Sequence, residues 1–212
     1  MSEVMTSAQV YGAVEHMCDT IEREKDYLSE LDGAIGDGDH GVNMAKCFRQ
    51  VKAKLPESAG RDAGTILKNV GMVVLNSVGG AMGALYGTMF LRLAQASAGK
   101  TELDLNDLVA MFESAEQGIR DLGKADVGDK TLLDTFVPAA RALQQAAQQG
   151  TPLPDALVDF EQAAKTGMES TRELMAKVGR SSRLGERTIG HQDAGATSCY
   201  LILKSFAEGL RD

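Results

Sequence analysis

Asp32, Asp37 and Asp39 stand at D-x4-D-x-D spacing within Leu31-Asp32-Gly33-Ala34-Ile35-Gly36-Asp37-Gly38-Asp39-His40-Gly41. Such a segment has little apolar surface to bury, and its like charges repel one another. Divalent cations relieve that repulsion, and three hard carboxylate ligands suit Mg2+ or Ca2+ rather than zinc. An EF-hand does not fit the spacing. Counted from Asp37, Gly41 is the fifth position where a sixth is required, and Phe48 occupies the place of the bidentate Glu. Gly41-Val42-Asn43 opens a helix whose free N–H groups and dipole suit phosphate oxygens, with His40 and Asn43 as donors beside them.

Three further segments carry potential chemistry. Ser77-Val78-Gly79-Gly80-Ala81-Met82-Gly83 is either a nest of N–H donors or a tight helix–helix turn. It lacks the Lys of a Walker A loop and is no dinucleotide fingerprint. In Gly123-Lys124-Ala125-Asp126-Val127-Gly128-Asp129-Lys130-Thr131, Asp129 or Thr131 caps the next helix, or the loop contacts a nucleotide. The longest runs from Gly179 to Ser198 and holds Arg180, Arg183 and Arg187, a positive island suited to phosphate. A loop of that length is usually functional. Asp193 within it is a cap for the last helix, a ligand to ribose or base, or both.

The elements that must position these loops are helices. Val10, Ala13, Val14, Met17, Cys18 and Ile21 form one apolar stripe, and Thr6-x-x-Gln9 fits a capping box. A second helix spans about 41–54, closed by Pro56. A third opens near Asp62 and buries Ile66, Leu67, Val70, Val73 and Val74. A fourth covers about 85–98, and a fifth starts near Asp104 and buries Leu108, Phe112, Ala115 and Ile119. The sixth spans 131–149, with Pro138 either kinking it or sitting where a neighbour relieves the lost bond. The seventh covers about 155–177 and the eighth about 195–210. No hairpin signal, linker or repeat interrupts them. The expectation is an all-α bundle or barrel of eight helices forming one domain over 1–212. In up-and-down helices the four loops, 32–41, 77–83, 123–130 and 179–195, emerge at the same end and meet at one rim. Ser58, between the second and third helices, reads as indifferent to truncation.

Composition narrows the class. A net charge of −8, no Lys/Arg run and no Trp argue against nucleic acid or an anionic membrane as partner. There is no apolar run of transmembrane length and no signal-peptide pattern. Cys18, Cys47 and Cys199 are odd in number without metal spacing, which fits reduced thiols in the cytoplasm.

Gly36-Asp37-Gly38-Asp39-His40-Gly41, Ser77-Val78-Gly79-Gly80-Ala81, Gly128-Asp129-Lys130-Thr131 and Gly185-Glu186-Arg187-Thr188-Ile189-Gly190-His191-Gln192-Asp193, in this order, resemble the nucleotide-binding L subunit of bacterial dihydroxyacetone kinase. The same domain forms the C-terminal half of single-chain ATP-dependent kinases. The resemblance implies a barrel of eight antiparallel helices with ADP or ATP and two Mg2+ at one rim. It implies Asp32, Asp37 and Asp39 as metal ligands. It places His40, Gly41, Val42, Asn43, Ala81 and Met82 against phosphate, and Gly123, Leu132, Arg180, Asp193, Ala194 and Gly195 around the nucleotide. Met82 stands where relatives often carry a small hydroxyl residue, and Ala194 where they often carry Pro.

The resemblance further implies that a separate K subunit holds dihydroxyacetone through its own His, so no catalytic nucleophile lies in this chain. A phosphohistidine protein of the phosphotransferase system would rephosphorylate bound ADP, a mode favoured by a free-standing chain of this length. Exchange of ATP with solvent, another small ketose as substrate, and a regulatory nucleotide-binding module are alternatives. A helical protein with a calcium loop alone is a third class. A homodimer and a transcription regulator are further partners that the resemblance allows.

Overall fold

The computed structural model describes residues 4–209. Its α-helices are α1 (Ser7–Arg23), α2 (Lys25–Ile35), α3 (His40–Lys54), α4 (Ala63–Ser77), α5 (Gly80–Ala96), α6 (Leu105–Gly123), α7 (Leu133–Gln149), α8 (Leu153–Ser170) and α9 (Ala194–Glu208). Leaving α2 aside, each packs on the next along the chain, and α9 closes the ring against α1. The result is an antiparallel barrel of eight helices filled by one connected cluster of buried apolar side chains. Phe112 sits at its centre, 5.3 Å from Phe136, 5.0 Å from Phe160 and 5.8 Å from Phe206 between ring centroids. Those rings come from α6, α7, α8 and α9, so the aromatic cluster joins one half of the ring.

The eight expected helices are all present, and their ends differ for identifiable reasons. The Thr6–Gln9 capping box starts α1. α2 continues α1 beyond a bend at Glu24 and was hidden in the sequence by its Gly and Asp content. Only Leu28 and Ile35 are buried on it, too few to show a helical period. α5 begins at Gly80 rather than near Leu85. A Cβ on Gly83 would lie 1.8 Å from the Val78 carbonyl, so the glycines that read as breakers instead allow a tight α4–α5 turn. α7 runs unbroken through Pro138, and Gly167 of α8 closes over the carbonyl of Asp134 that Pro138 frees. α8 ends at Ser170 rather than near Lys177, because Lys130 takes the Thr171 and Leu174 carbonyls as hydrogen-bond acceptors. The expected last helical residue, Leu210, lies outside the described residues.

One antiparallel pair appears without a sequence signal. Met5–Thr6 pairs with Glu102–Leu103 and ties the start of the chain to the α5–α6 connection. Two residues per strand are too short to show an alternation. The three cysteines are free and buried. No helix among the described residues is long and apolar enough to cross a membrane.

Ser58 overturns its expectation. It is fully buried, and the Asn69 side-chain amide donates to its hydroxyl at 2.8 Å. Ser58→Ala leaves that amide without its acceptor, at a cost of about 1–2 kcal/mol. A lowered midpoint in urea unfolding, with secondary structure unchanged, is the expected result.

Candidate metal and phosphate site

The carboxylate loop is shorter in space than in sequence. α2 carries Asp32 on its last turn and α3 begins at His40, leaving only residues 36–39 between the helices. Gly36 is required there, because a Cβ would lie 2.2 Å from Asp32 Oδ1. Gly38 turns the chain with a φ of 77°. One ligand atom from each of Asp32, Asp37 and Asp39 lies within 4.8 Å of the others. This donor set, all hard oxygen, fits a divalent cation of the Mg2+ or Ca2+ type. Asp32 Oδ2 also accepts from the His40 backbone N–H at 3.2 Å, so one carboxylate both faces the cation position and caps α3.

The neighbouring segments close on this loop. Arg180 pairs with Asp37, which joins the 179–195 loop to the carboxylates. Part of that loop is not irregular: Ser181–Thr188 forms 3-10 turns, with Arg183 and Arg187 exposed. His40 reaches across to α9, with Nε2 2.8 Å from Ser198 Oγ. Burial lowers the His40 pKa, against the raising influence of Asp32 and Asp39. Gly41 packs so closely on α2 that a Cβ would lie 1.9 Å from the Lys25 carbonyl. Asn43 donates its backbone N–H to the Asp39 carbonyl at 2.9 Å, and Val42 is 54% exposed.

Asp193 caps α9, accepting from the Ala196 N–H at 2.7 Å. Burial pushes its carboxyl up to about 6, with Asp134 and Asp32 adding to the rise and the Ala196 bond and Lys130 opposing it. Ala194 is buried. Gly195 faces Leu132, whose backbone N would be 4.0 Å from a Cβ at Gly195. Gly123 ends α6 against Leu85 of α5, at 3.2 Å by the same measure. The α4–α5 turn is the least connected member. Ala81 is exposed, Met82 packs on the edge of the core, and no described hydrogen bond ties either to the other three loops. α5 reaches the site through Tyr86, whose hydroxyl donates to the Gly195 carbonyl at 3.0 Å.

Lys130 is the main residue that sequence reasoning missed. It is 3% exposed, with φ at 62°, and its ammonium donates to the carbonyls of Thr171 (2.6 Å), Leu174 (3.1 Å), Thr188 (2.8 Å) and His191. Burial lowers its pKa, while Asp193 and Asp134 hold it up. In sequence it looks like any loop lysine. Beside it, the turn before α7 is tied by Asp134, whose carboxylate accepts from the N–H groups of Gly128 (2.6 Å) and Thr131 (2.7 Å), while Thr131 Oγ1 accepts from Leu133 N–H; Leu132, at the N-cap, makes no side-chain cap bond.

A ring of helices with a carboxylate trio at one end defines the class, a helical barrel whose loop donors fit a divalent cation. The DAK2 domain model matches residues 34–208, and the chain belongs to that family. It is 43% identical over 203 residues to the ADP-binding subunit DhaL of the PEP-dependent dihydroxyacetone kinase of Escherichia coli, covering 96% of this chain and 97% of that one. It is 35% identical to the ADP-binding subunit DhaL of the PTS-dependent dihydroxyacetone kinase of Lactococcus lactis, covering 89% and 90%. The crystal structure of the dihydroxyacetone kinase from C. freundii in complex with AMP-PNP and Mg2+ superposes with a TM-score of 0.72 at 26% identity. That match covers 95% of this chain and 34% of the longer enzyme.

Lys130→Met removes the common donor of four carbonyls and costs roughly 3 kcal/mol or more. Limited proteolysis is expected to cut within 174–191 while helix content stays near normal. Asp193 yields a pH test. Its carboxyl is held near 6 in the folded chain against an ordinary 3.8. The protonated form therefore contributes stability that is present below about pH 4 and lost as pH rises through about 6. Urea midpoints from pH 4 to 7 are expected to fall more steeply for the native chain than for Asp193→Asn.

Proposed function

We propose that this chain is the ADP-binding subunit of a multi-component dihydroxyacetone kinase, built as a single domain that works in the cytoplasm. The observation that carries the proposal is the Asp32–Asp37–Asp39 trio at the N-terminus of α3, within a member of the DAK2 family. The trio would hold Mg2+, two ions in this reading, which supply charge neutralisation for the phosphates when bound. His40, Gly41, Val42 and Asn43 would meet phosphate at the first turn of α3, with Ala81 and Met82 on the opposite wall. Gly123, Leu132, Arg180, Asp193, Ala194 and Gly195 would enclose the rest of the nucleotide.

The chain contributes positioning and electrostatics rather than a nucleophile, the usual division of labour in phosphoryl transfer. Arg180 already faces Asp37, so its guanidinium is placed to follow negative charge arriving at the carboxylates. Dihydroxyacetone would be held on a separate K subunit. The phosphoryl group would reach bound ADP from a phosphohistidine protein of the phosphotransferase system. That donor accords with the PEP-dependent and PTS-dependent names of the E. coli and L. lactis relatives.

The test is to acid-quench extensively desalted protein, identify released nucleotide by chromatography and assay metal in the same sample. About one ADP per chain together with Mg2+ supports the phosphotransferase-coupled subunit. An empty protein that takes up ATP only when Mg2+ is added points to exchange with solvent. Absence of any nucleotide binding overturns the proposal. Asp37→Asn is expected to weaken Mg2+-dependent retention by at least about 100-fold, since even supporting residues around a metal cost 10- to 100-fold. Its circular dichroism should match the native chain.

A further inference from the structure

Four backbone carbonyls converge on one point inside the loop end of the barrel, and the Lys130 ammonium occupies it. They come as two pairs. Thr171 and Leu174 close one turn, in which the Leu174 N–H donates to the Thr171 carbonyl at 3.3 Å. Thr188 and His191 close another in the same way, at 3.4 Å. The ammonium lies 2.6 Å from the Thr171 oxygen, 3.1 Å from that of Leu174 and 2.8 Å from that of Thr188, with His191 as the fourth partner. It brings three protons to four oxygens. At least one contact therefore shares a proton or is held by ion–dipole attraction alone. Such a shell of carbonyl dipoles is what replaces the water around a desolvated monovalent cation. A compact ammonium suits it, whereas the planar guanidinium of an arginine aims its donors in a fixed fork.

The cage also joins two walls of the nucleotide pocket. The Thr171 hydroxyl accepts from the Asp193 N–H at 3.1 Å, and the Thr188 hydroxyl from the Ala176 N–H at 2.9 Å. The segments 171–176 and 188–193 are thus laced together around the ammonium. Lys130 itself lies two residues before Leu132, on a backbone held in the left-handed region at φ 62°. In the function proposed above, Leu132 and Asp193 meet the nucleotide from these two walls.

We propose that Lys130 is a tethered monovalent cation, a positioning residue whose ammonium takes the place of a bound K+ or ammonium ion and sets Leu132 and Asp193 at the spacing the nucleotide requires. The effect on nucleotide rests on the function proposed above, while the cation cage stands on its own geometry. A cation fixed to the chain is present whatever salt surrounds it. The native pocket is therefore indifferent to the choice of monovalent cation, and loss of the lysine makes it dependent on one.

Lys130→Gly removes the ammonium, suits the left-handed backbone and leaves four oxygens open to a free ion. Lys130→Met removes the charge and keeps an apolar chain in the cage. The experiment compares Mg2+–ADP affinity by calorimetry and the thermal midpoint without nucleotide. Both are read in KCl, NH4Cl, LiCl and tetramethylammonium chloride at equal ionic strength, each relative to the native chain. In tetramethylammonium chloride, whose cation is too large for the cage, Lys130→Gly is expected to bind ADP at least about tenfold more weakly, the loss of roughly one buried hydrogen bond. KCl and NH4Cl should restore both affinity and midpoint, and LiCl should not. Lys130→Met should be weakened and regain nothing. The same relative midpoint for Lys130→Gly in all four salts overturns the cage. Native ADP affinity in Lys130→Gly in every salt overturns the positioning role. If the native chain binds no ADP, the function proposed above falls, and the midpoints still decide the cage. A check on the native chain needs no variant to fold: 1H–15N correlation with 15N-lysine at neutral pH is expected to show one slowly exchanging ammonium, and its absence overturns the proposal.

Discussion

The Lys130 ammonium lies under the loop end of the barrel, where Thr171, Leu174, Thr188 and His191 all turn their carbonyls toward it. Those carbonyls belong to a stretch of chain with few regular hydrogen bonds of its own. Without a common donor they would be buried acceptors lacking partners. The same ammonium stands near Asp193, which caps α9, and Asp134, which ties the turn before α7. One buried cation thus supports the return from α8 to α9 and the approach to α7. Through Asp193 it also acts on the electrostatics of the carboxylate loop, since Asp32 lies close enough to raise the Asp193 pKa.

Charge at this end of the barrel is arranged in two layers. Beneath are Lys130, Asp134 and Asp193, joined to backbone groups and little exposed to salt or water. Above are Asp32, Asp37 and Asp39, with Arg180 paired to Asp37 on the exposed side. A salt bridge so exposed adds little to stability. Its importance is geometric, because it joins the arginine loop to the carboxylate loop. The lower layer is held by its hydrogen bonds to the backbone. The upper layer keeps unsatisfied oxygen ligands, as a cation site must.

The hydroxyl pair of Ser198 and Tyr86 connects these layers to the barrel wall. Ser198 meets the His40 ring beside the carboxylates, and Tyr86 meets Ser198. Sites of this kind depend on supporting groups as much as on direct contacts. Here the support comes from Tyr86 of α5 and Ser198 of α9, 112 residues apart in sequence, which meet only because the barrel closes.

Much of this was legible in the amino-acid sequence. The apolar stripes set eight helices, because a helix that must bury one face repeats every three to four residues. The density of aspartate and glycine around residue 37 marked the cation loop, because no bland turn gathers so many like charges. The motif order marked the family. The sequence missed α2, whose two buried residues make no stripe, and misjudged Ser58, whose burial comes from packing under α4. It left open whether Asp193 caps a helix, and the fold shows that it does. Lys130 and Ser198 carried no signal at all, since a buried ammonium and a positioning hydroxyl look like ordinary loop residues until their partners are known. Local patterns and ligand types follow from neighbours along the chain, and the sequence determines those alone. Which carbonyls surround a lysine, or which hydroxyl meets an imidazole, depends on segments distant in sequence, and only closure of the barrel decides it.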